Sequence, residues 1–170
     1  EVDVLARMVE QLLTLTRYEY LVLPQNAYVD LYMVLVDVIS ALAPMALKED
    51  RALELDADNE KIWVRGDAGA LEHALRNLIE NAVKYSSRGS TVRIVIERDP
   101  LIVRIIDQGR GIPEDQRDIL FERFAQNDRR GGGAGLGLSI VKAIFDAHGA
   151  EIDISDTSGG GATFSIKFPT

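Results

Sequence analysis

The seven residues Asp107-Gln108-Gly109-Arg110-Gly111-Ile112-Pro113 constrain this chain more than any other stretch. They follow Leu101-Ile102-Val103-Arg104-Ile105-Ile106, an alternation rich in β-branched residues that reads as a strand. A carboxylate at the end of a largely buried strand is costly unless a partner satisfies it. Glycines two and four positions later let the backbone approach a flat ligand closely and take positive φ where a turn needs it. An ionised Asp only accepts hydrogen bonds, so Asp107 suits a ligand edge that donates, such as an exocyclic amine. Asp-x-Gly-x-Gly also makes ordinary turns. The reading therefore depends on what the rest of the chain supplies.

Two compositional facts bear on that. A net charge of −8 disfavours nonspecific nucleic-acid binding and opposes an anionic ligand unless cations gather locally. The absence of cysteine excludes a disulfide framework and thiolate metal sites. The 170 residues are enough for one domain with a sizeable core and a short appendage, and 46% hydrophobic content without a long apolar run reads as soluble and globular. The start at Glu1 has no signal-peptide pattern.

Residues 1–20 read as a helix with Val4, Leu5, Met8, Val9, Leu12, Leu13 and Leu15 on one broad face. The pattern begins without a capping residue, which predicts a helix continuing upstream, either packed on its own domain or half of a helical pair. Residues 21–27 form a connector. Asp30 is expected to cap a helix running to about Lys48, kinked or shortened by Pro44. Residues 51–56 and 61–65 read as paired strands around Asp58-Asn59, with Trp63 a packing residue rather than a binding aromatic.

Asp67 caps the next helix, where Leu71, Ala74, Leu75, Leu78, Ile79, Ala82 and Val83 cover one arc. Asn77, Asn81, Lys84 and Tyr85 line one edge of it as neighbours on successive turns. Asparagine is a poor interior helix former, so two on a buried margin suggest the rim of a polar pocket. A hairpin across Asp99-Pro100 joins residues 91–98 to 101–107, and a short helix is expected over 114–121. Residues 122–135, with Arg123, Arg129, Arg130 and a run of glycines, read as a mobile loop. Gly135-Leu136-Gly137-Leu138-Ser139 then opens a helix closed by Gly149, and its free N–H groups and positive dipole end make an anion site. Residues 151–155 and 162–168 alternate as two final strands.

Together Asp107, Gly109 and Gly111 can read an amine-bearing base. Lys84, Arg123, Arg129 and Arg130 supply the local cations, and the helix start at Gly135 to Gly137 can take phosphates. Asn81 carries an oxygen that can ligate a hard cation, and Mg²⁺ travels with phosphates while keeping several waters. The combination points to Mg-ATP.

The chain resembles the sensor histidine kinases. The segments carrying this are Asn77-Leu-Ile-Glu-Asn81-Ala-Val-Lys84-Tyr85-Ser86, Asp107-Gln-Gly109-Arg-Gly111-Ile112-Pro113, Phe121-Glu-Arg-Phe124, Gly133-Ala-Gly135-Leu136-Gly137-Leu138 and Gly159-Gly-Gly-Ala-Thr163-Phe. They are similar to the Asn, glycine and Phe boxes of that family, part of the gyrase, heat-shock chaperone, histidine kinase and mismatch-repair ATPase superfamily. The resemblance spans residues 30–168. It implies an α+β fold, a two-layer α/β sandwich of Bergerat type with a mixed sheet, helices on one face and an N-terminal helix. It implies domains at 1–20, the end of a dimerisation helix, and 21–170, the catalytic ATP-binding domain. It assigns adenine to Asp107 with help from Thr163, Mg²⁺ to Asn81, phosphate to Lys84, and an ATP lid to residues 121–135. Asn77, Tyr85, Ile112 and Phe124 complete the implied site.

Hydrolysing members of the superfamily place a Glu at the position of Asn77, and an amide is no general base. Transfer to a neutral imidazole does not need one, so positioning and charge stabilisation by Mg²⁺, Lys84 and lid arginines such as Arg123 are expected to suffice. Glu80 projects roughly 60° away from Asn77 and is discounted as a base. His73 and His148 lack the acidic neighbour of a phosphoacceptor and read as structural. The expected function is phosphoryl transfer from ATP to a histidine outside this chain. The implied partners are a histidine-bearing dimerisation domain and a response-regulator receiver, within a homodimeric, cytoplasmic or membrane-anchored parent protein. The Phe box departs from the family in continuing Ala125-Gln126. That departure keeps a nucleotide-sensing module without phosphotransfer as the alternative.

Overall fold

The computed structural model describes residues 1–125 and 135–170. First come α1 (Val2–Glu19), β1 (Tyr28–Asp30) and α2 (Leu31–Lys48). Then follow β2 (Ala52–Asp56), β3 (Trp63–Arg65), α3 (Ala68–Tyr85), β4 (Thr91–Glu97) and β5 (Ile102–Ile106). After α4 (Glu114–Arg117) and a 3-10 turn (Ile119–Phe121), α5 (Gly137–Ala147), β6 (Glu151–Asp156) and β7 (Ala162–Lys167) complete the described elements.

A five-stranded sheet runs β2-β4-β5-β7-β6, with β2 parallel to β4 and the other neighbours antiparallel. Parallel neighbours need a crossover, and α3 lies within the one between β2 and β4. Period-two alternation turns Val92, Ile94, Val103, Ile105, Ile154, Phe164 and Ile166 toward the helices, where they are buried. The other face is charged. Arg93 pairs with Glu54 and Asp56 at 3.7 and 3.0 Å, and Arg104 with Glu97 at 2.9 Å.

The helical layer follows the apolar periods. α3 buries Leu71, Ala74, Leu75, Leu78, Ile79, Ala82 and Val83, the arc expected from sequence. Each large aliphatic side chain so buried contributes about 1.5–3 kcal/mol. α2 is long and apolar enough to cross a membrane, with a mean hydropathy of 1.7. Here Leu31, Leu35, Val38 and Leu42 pack in the core between α3 and β2. α1 docks by its last turns on α5, burying Leu15 and Tyr18, while Val2, Val4, Leu5, Val9 and Leu13 stay exposed.

Several local expectations are corrected. β2 and β3 do not pair with each other. β2 joins β4, and β3 pairs antiparallel with β1, a strand the sequence reading did not anticipate between the connector and α2. Asp30 does not cap α2, because its Oδ1 accepts instead from the Ile62 N–H at 3.0 Å. α2 continues through Pro44 to Lys48, and both Pro44 and Ser40 lie on its exposed side, where water can reach the freed carbonyl. Trp63 is 59% exposed, since alternation in the short β3 buries Val64 alone. Its ring carries the Lys61 ammonium at 5.9 Å. The stretch 114–121 divides into one α-turn and one 3-10 turn. Of the expected loop, residues 126–134 lie outside the described residues, including Arg129, Arg130 and Gly133.

Candidate functional site

Asp107 stands one residue beyond β5 and is 5% exposed. Its Oδ1 accepts the N–H groups of Gly109 at 3.0 Å and Ala162 at 2.9 Å, and its own N–H donates to the Ala162 carbonyl. Burial pushes the carboxyl above its usual pKa, against the opposing pull of those two N–H donors. Both bonds fall on Oδ1, so Oδ2 is the oxygen suited to a ligand's donor. Thr163 is buried beside it, with its hydroxyl 2.9 Å from that of Thr157.

The glycines hold this loop against its neighbours. A β-carbon at Gly109 would lie 2.2 Å from the Tyr85 carbonyl oxygen, so only glycine fits against the end of α3. Ser86 and Gly109 form an antiparallel bridge, and Ser87 donates to the Gln108 carbonyl through both N–H and hydroxyl, at 3.2 and 2.8 Å. Gly111 has φ +74 beside the Gly161 carbonyl. Ile112 packs on the core margin, and its carbonyl accepts from Arg117 at 3.0 Å.

α3 spans the remaining distance. Tyr85, at its end, has the Lys84 ammonium 5.5 Å and the Arg110 guanidinium 5.7 Å from its ring centre. Asn81 is half-buried one turn earlier. Asn77, a turn before that, donates to the His73 carbonyl, and its Oδ1 is 3.3 Å from where a β-carbon at Gly137 would stand. Asn81 thus lies about 6 Å along the axis from both the Tyr85–Gly109 contact and the Asn77–Gly137 contact. Residues of the Asn box, the Asp107 loop and the start of α5 are thereby joined through one helix edge.

At α5 the described residues give no side-chain cap for the first N–H groups. Leu136 is fully buried, Leu138 packs partly against the core, and the Ser139 hydroxyl donates to the Leu136 carbonyl at 2.8 Å. Gly135 has φ +71 and abuts the backbone of Phe124 and Ala125. Phe124 takes φ +62 and is 52% exposed. Arg123 is paired with Glu19 of α1 at 2.5 Å, so in this conformation it points to the N-terminal helix. Lys84 is exposed.

Three features escaped the sequence reading. Glu80 shares with Asn77, His73 and Arg76 an open groove of about 380 Å³, despite its angular offset. Gly161 presses on Asp107, a role signalled only by an unusual glycine run. Arg110, between the two glycines, meets the Tyr85 ring. The two histidines are structural, as expected. His148 is buried, with Nε2 accepting from the Asp67 N–H at 3.0 Å and Nδ1 on the Ile144 carbonyl, while His73 meets Tyr18 edge-on. Asp67 caps α3 through the Ala70 N–H at 2.8 Å.

Residues 66–170 match the family described as "Histidine kinase-, DNA gyrase B-, and HSP90-like ATPase". The chain is 33% identical to the sensor protein KdpD of Clostridium acetobutylicum over 97% of its length, covering 19% of that protein. It superimposes on the Acinetobacter baumannii histidine kinase AdeS with a TM-score of 0.76 at 32% identity, covering 98% of this chain and 79% of that one. Against full-length ShkA, solved in complex with AMPPNP, the TM-score is 0.81 at 27% identity, over 97% of this chain and 35% of that one.

The chain belongs to this family of ATP-binding domains. Its fold and its relatives are those of the catalytic domain of sensor histidine kinases. It spans 19%, 11% and 29% of the length of three curated relatives it matches, all named as sensor or signal-transduction proteins.

Proposed function

We propose that this chain binds Mg-ATP and transfers the γ-phosphoryl group to a histidine on a dimerisation domain it does not itself contain. The observation that carries the reading is the buried Asp107 carboxylate, held through Oδ1 by two backbone N–H groups with Oδ2 suited to a donating base edge. Thr163 stands beside it for the adenine. Gly109, Gly111 and Ile112 would lie under the base, with Tyr85, against Gly109, and Phe124, against Gly135, as further contacts. The start of α5, from Gly135 to Leu138, offers N–H groups to phosphate, and Lys84 adds charge.

Among the described residues no cluster of three His, Cys, Asp or Glu could hold a metal. Mg²⁺ would be held by the Asn81 amide oxygen, with phosphates and waters as its remaining ligands. When bound, Mg²⁺ neutralises charge on the β- and γ-phosphates. Asn77 cannot take a proton from water, so it orients rather than hydrolyses. Arg123 reaches the phosphates only after leaving Glu19.

We further read α1 as the end of a dimerisation helix and residues 21–170 as the catalytic domain of a homodimeric kinase. It would act in the cytoplasm on a response-regulator receiver. Labelled ATP mixed with this chain and a family dimerisation domain tests the proposal. Label on histidine supports it. ATP binding without transfer favours a nucleotide-sensing module, the reading suggested by Ala125 in the Phe box. Steady phosphate release without a partner would favour a gyrase-type ATPase.

A further inference from the structure

We infer that Arg110, the residue between the two glycines of the Asp107 loop, is a phosphate-binding residue for the nucleotide, forming with Lys84 a two-cation clamp across the Tyr85 ring. The inference rests on the nucleotide-site reading above and adds a ligand contact to it. Arg110 is exposed, three residues past Asp107, and its guanidinium lies 5.7 Å from the Tyr85 ring centre. The Lys84 ammonium lies 5.5 Å from the same centre. A cation within about 6 Å of an aromatic face is held by the ring quadrupole, so both cations are gathered around this one ring.

The placement is built into the backbone rather than left to a flexible side chain. Gln108 and Gly109 are stapled to the end of α3 by the Ser86–Gly109 bridge, the two Ser87 bonds to the Gln108 carbonyl, and the Gln108 N–H to the Ser86 hydroxyl at 3.4 Å. The Gly109 backbone touches the Tyr85 carbonyl so closely that no side chain could intervene. Arg110 therefore leaves the loop at a fixed position relative to Lys84. In a chain of net charge −8, such a pair is the local cation density that a polyphosphate requires. A guanidinium also offers a planar fork of donors that suits phosphate oxygens better than a point charge does.

Titrations of the full chain with ATP, ADP and adenosine test the clamp. Arg110→Ala should weaken ATP and ADP roughly tenfold while changing adenosine by less than about twofold. Arg110→Lys should recover part of the loss, since charge returns without the fork. Asp107→Asn, by contrast, should weaken adenosine and ATP alike. Unchanged ATP affinity in Arg110→Ala overturns the clamp and leaves the site standing, as does a parallel loss for adenosine. A wild-type chain that binds no ATP overturns both.

Discussion

The α-carbon of Gly161 lies against the backbone of Asp107, so tightly that a β-carbon there would stand 2.1 Å from the Asp107 carbonyl oxygen and 3.0 Å from Oδ1. Gly161 also takes φ +118, a conformation closed to residues with side chains. Gly161→Ala should therefore cost about 2–5 kcal/mol, from backbone strain and overpacking together. Urea denaturation reads this directly, and a loss under 1 kcal/mol would contradict the contact.

Replacing Asp107 by Asn should separate binding from stability. Burial raises the Asp107 pKa, so the folded state holds its proton more tightly than the unfolded chain. Its stabilising contribution is complete below the unfolded pKa and is lost as pH rises through the folded one. At pH 7 a neutral amide of the same shape escapes that loss. Asp107→Asn should bind ATP undetectably by calorimetry yet melt no lower than the wild type.

His148 gives the opposite slope. Burial lowers its pKa, and the neutral ring is needed because Nε2 accepts from the Asp67 N–H. Stability should fall as pH drops below the usual histidine value of 6.5 toward the lower folded pKa. His73, lowered first by burial and then by Arg76, adds to the same trend. His148→Gln, whose amide can still accept, should shrink the difference in urea midpoint between pH 7.5 and 5.5.

The ion pair of Glu19 with Arg123 bridges α1 to the segment before residue 126, and both side chains are substantially exposed. A double-mutant cycle with Glu19→Ala and Arg123→Ala should give a coupling of only about 0.2–1 kcal/mol. A larger value would mean that α1 is held to this segment more firmly than an exposed pair allows.

Much of the scaffold could be read from residue order because local signals agreed with tertiary needs. The apolar arc of α3, the Asp67 cap and the alternation ending at Asp107 are each a short-range pattern with one physical solution. The pairing of β2 was not legible. Alternation shows which face of a strand is buried, not which neighbour it meets, and the parallel partner β4 lies beyond a whole helix. Asp30 misled for a related reason, since a capping side chain was drawn to the N–H of Ile62, the residue just before β3. In the candidate site, asparagines on a helix edge and glycines near a strand end announce a pocket. The closeness of Gly161 to Asp107 and of Arg110 to Tyr85 is set by backbone turns that no residue pattern encodes.

The outward face of the five-stranded sheet, with Arg93 between Glu54 and Asp56 and Arg104 clasping Glu97, has a further effect on the life of the molecule in a crowded cell. A bare apolar sheet face would recruit another sheet and end in clumping. Charges of alternating sign make that stacking costly, because every guanidinium and carboxylate would have to shed water together. The domain is in this way kept from stacking on its own copies through this face.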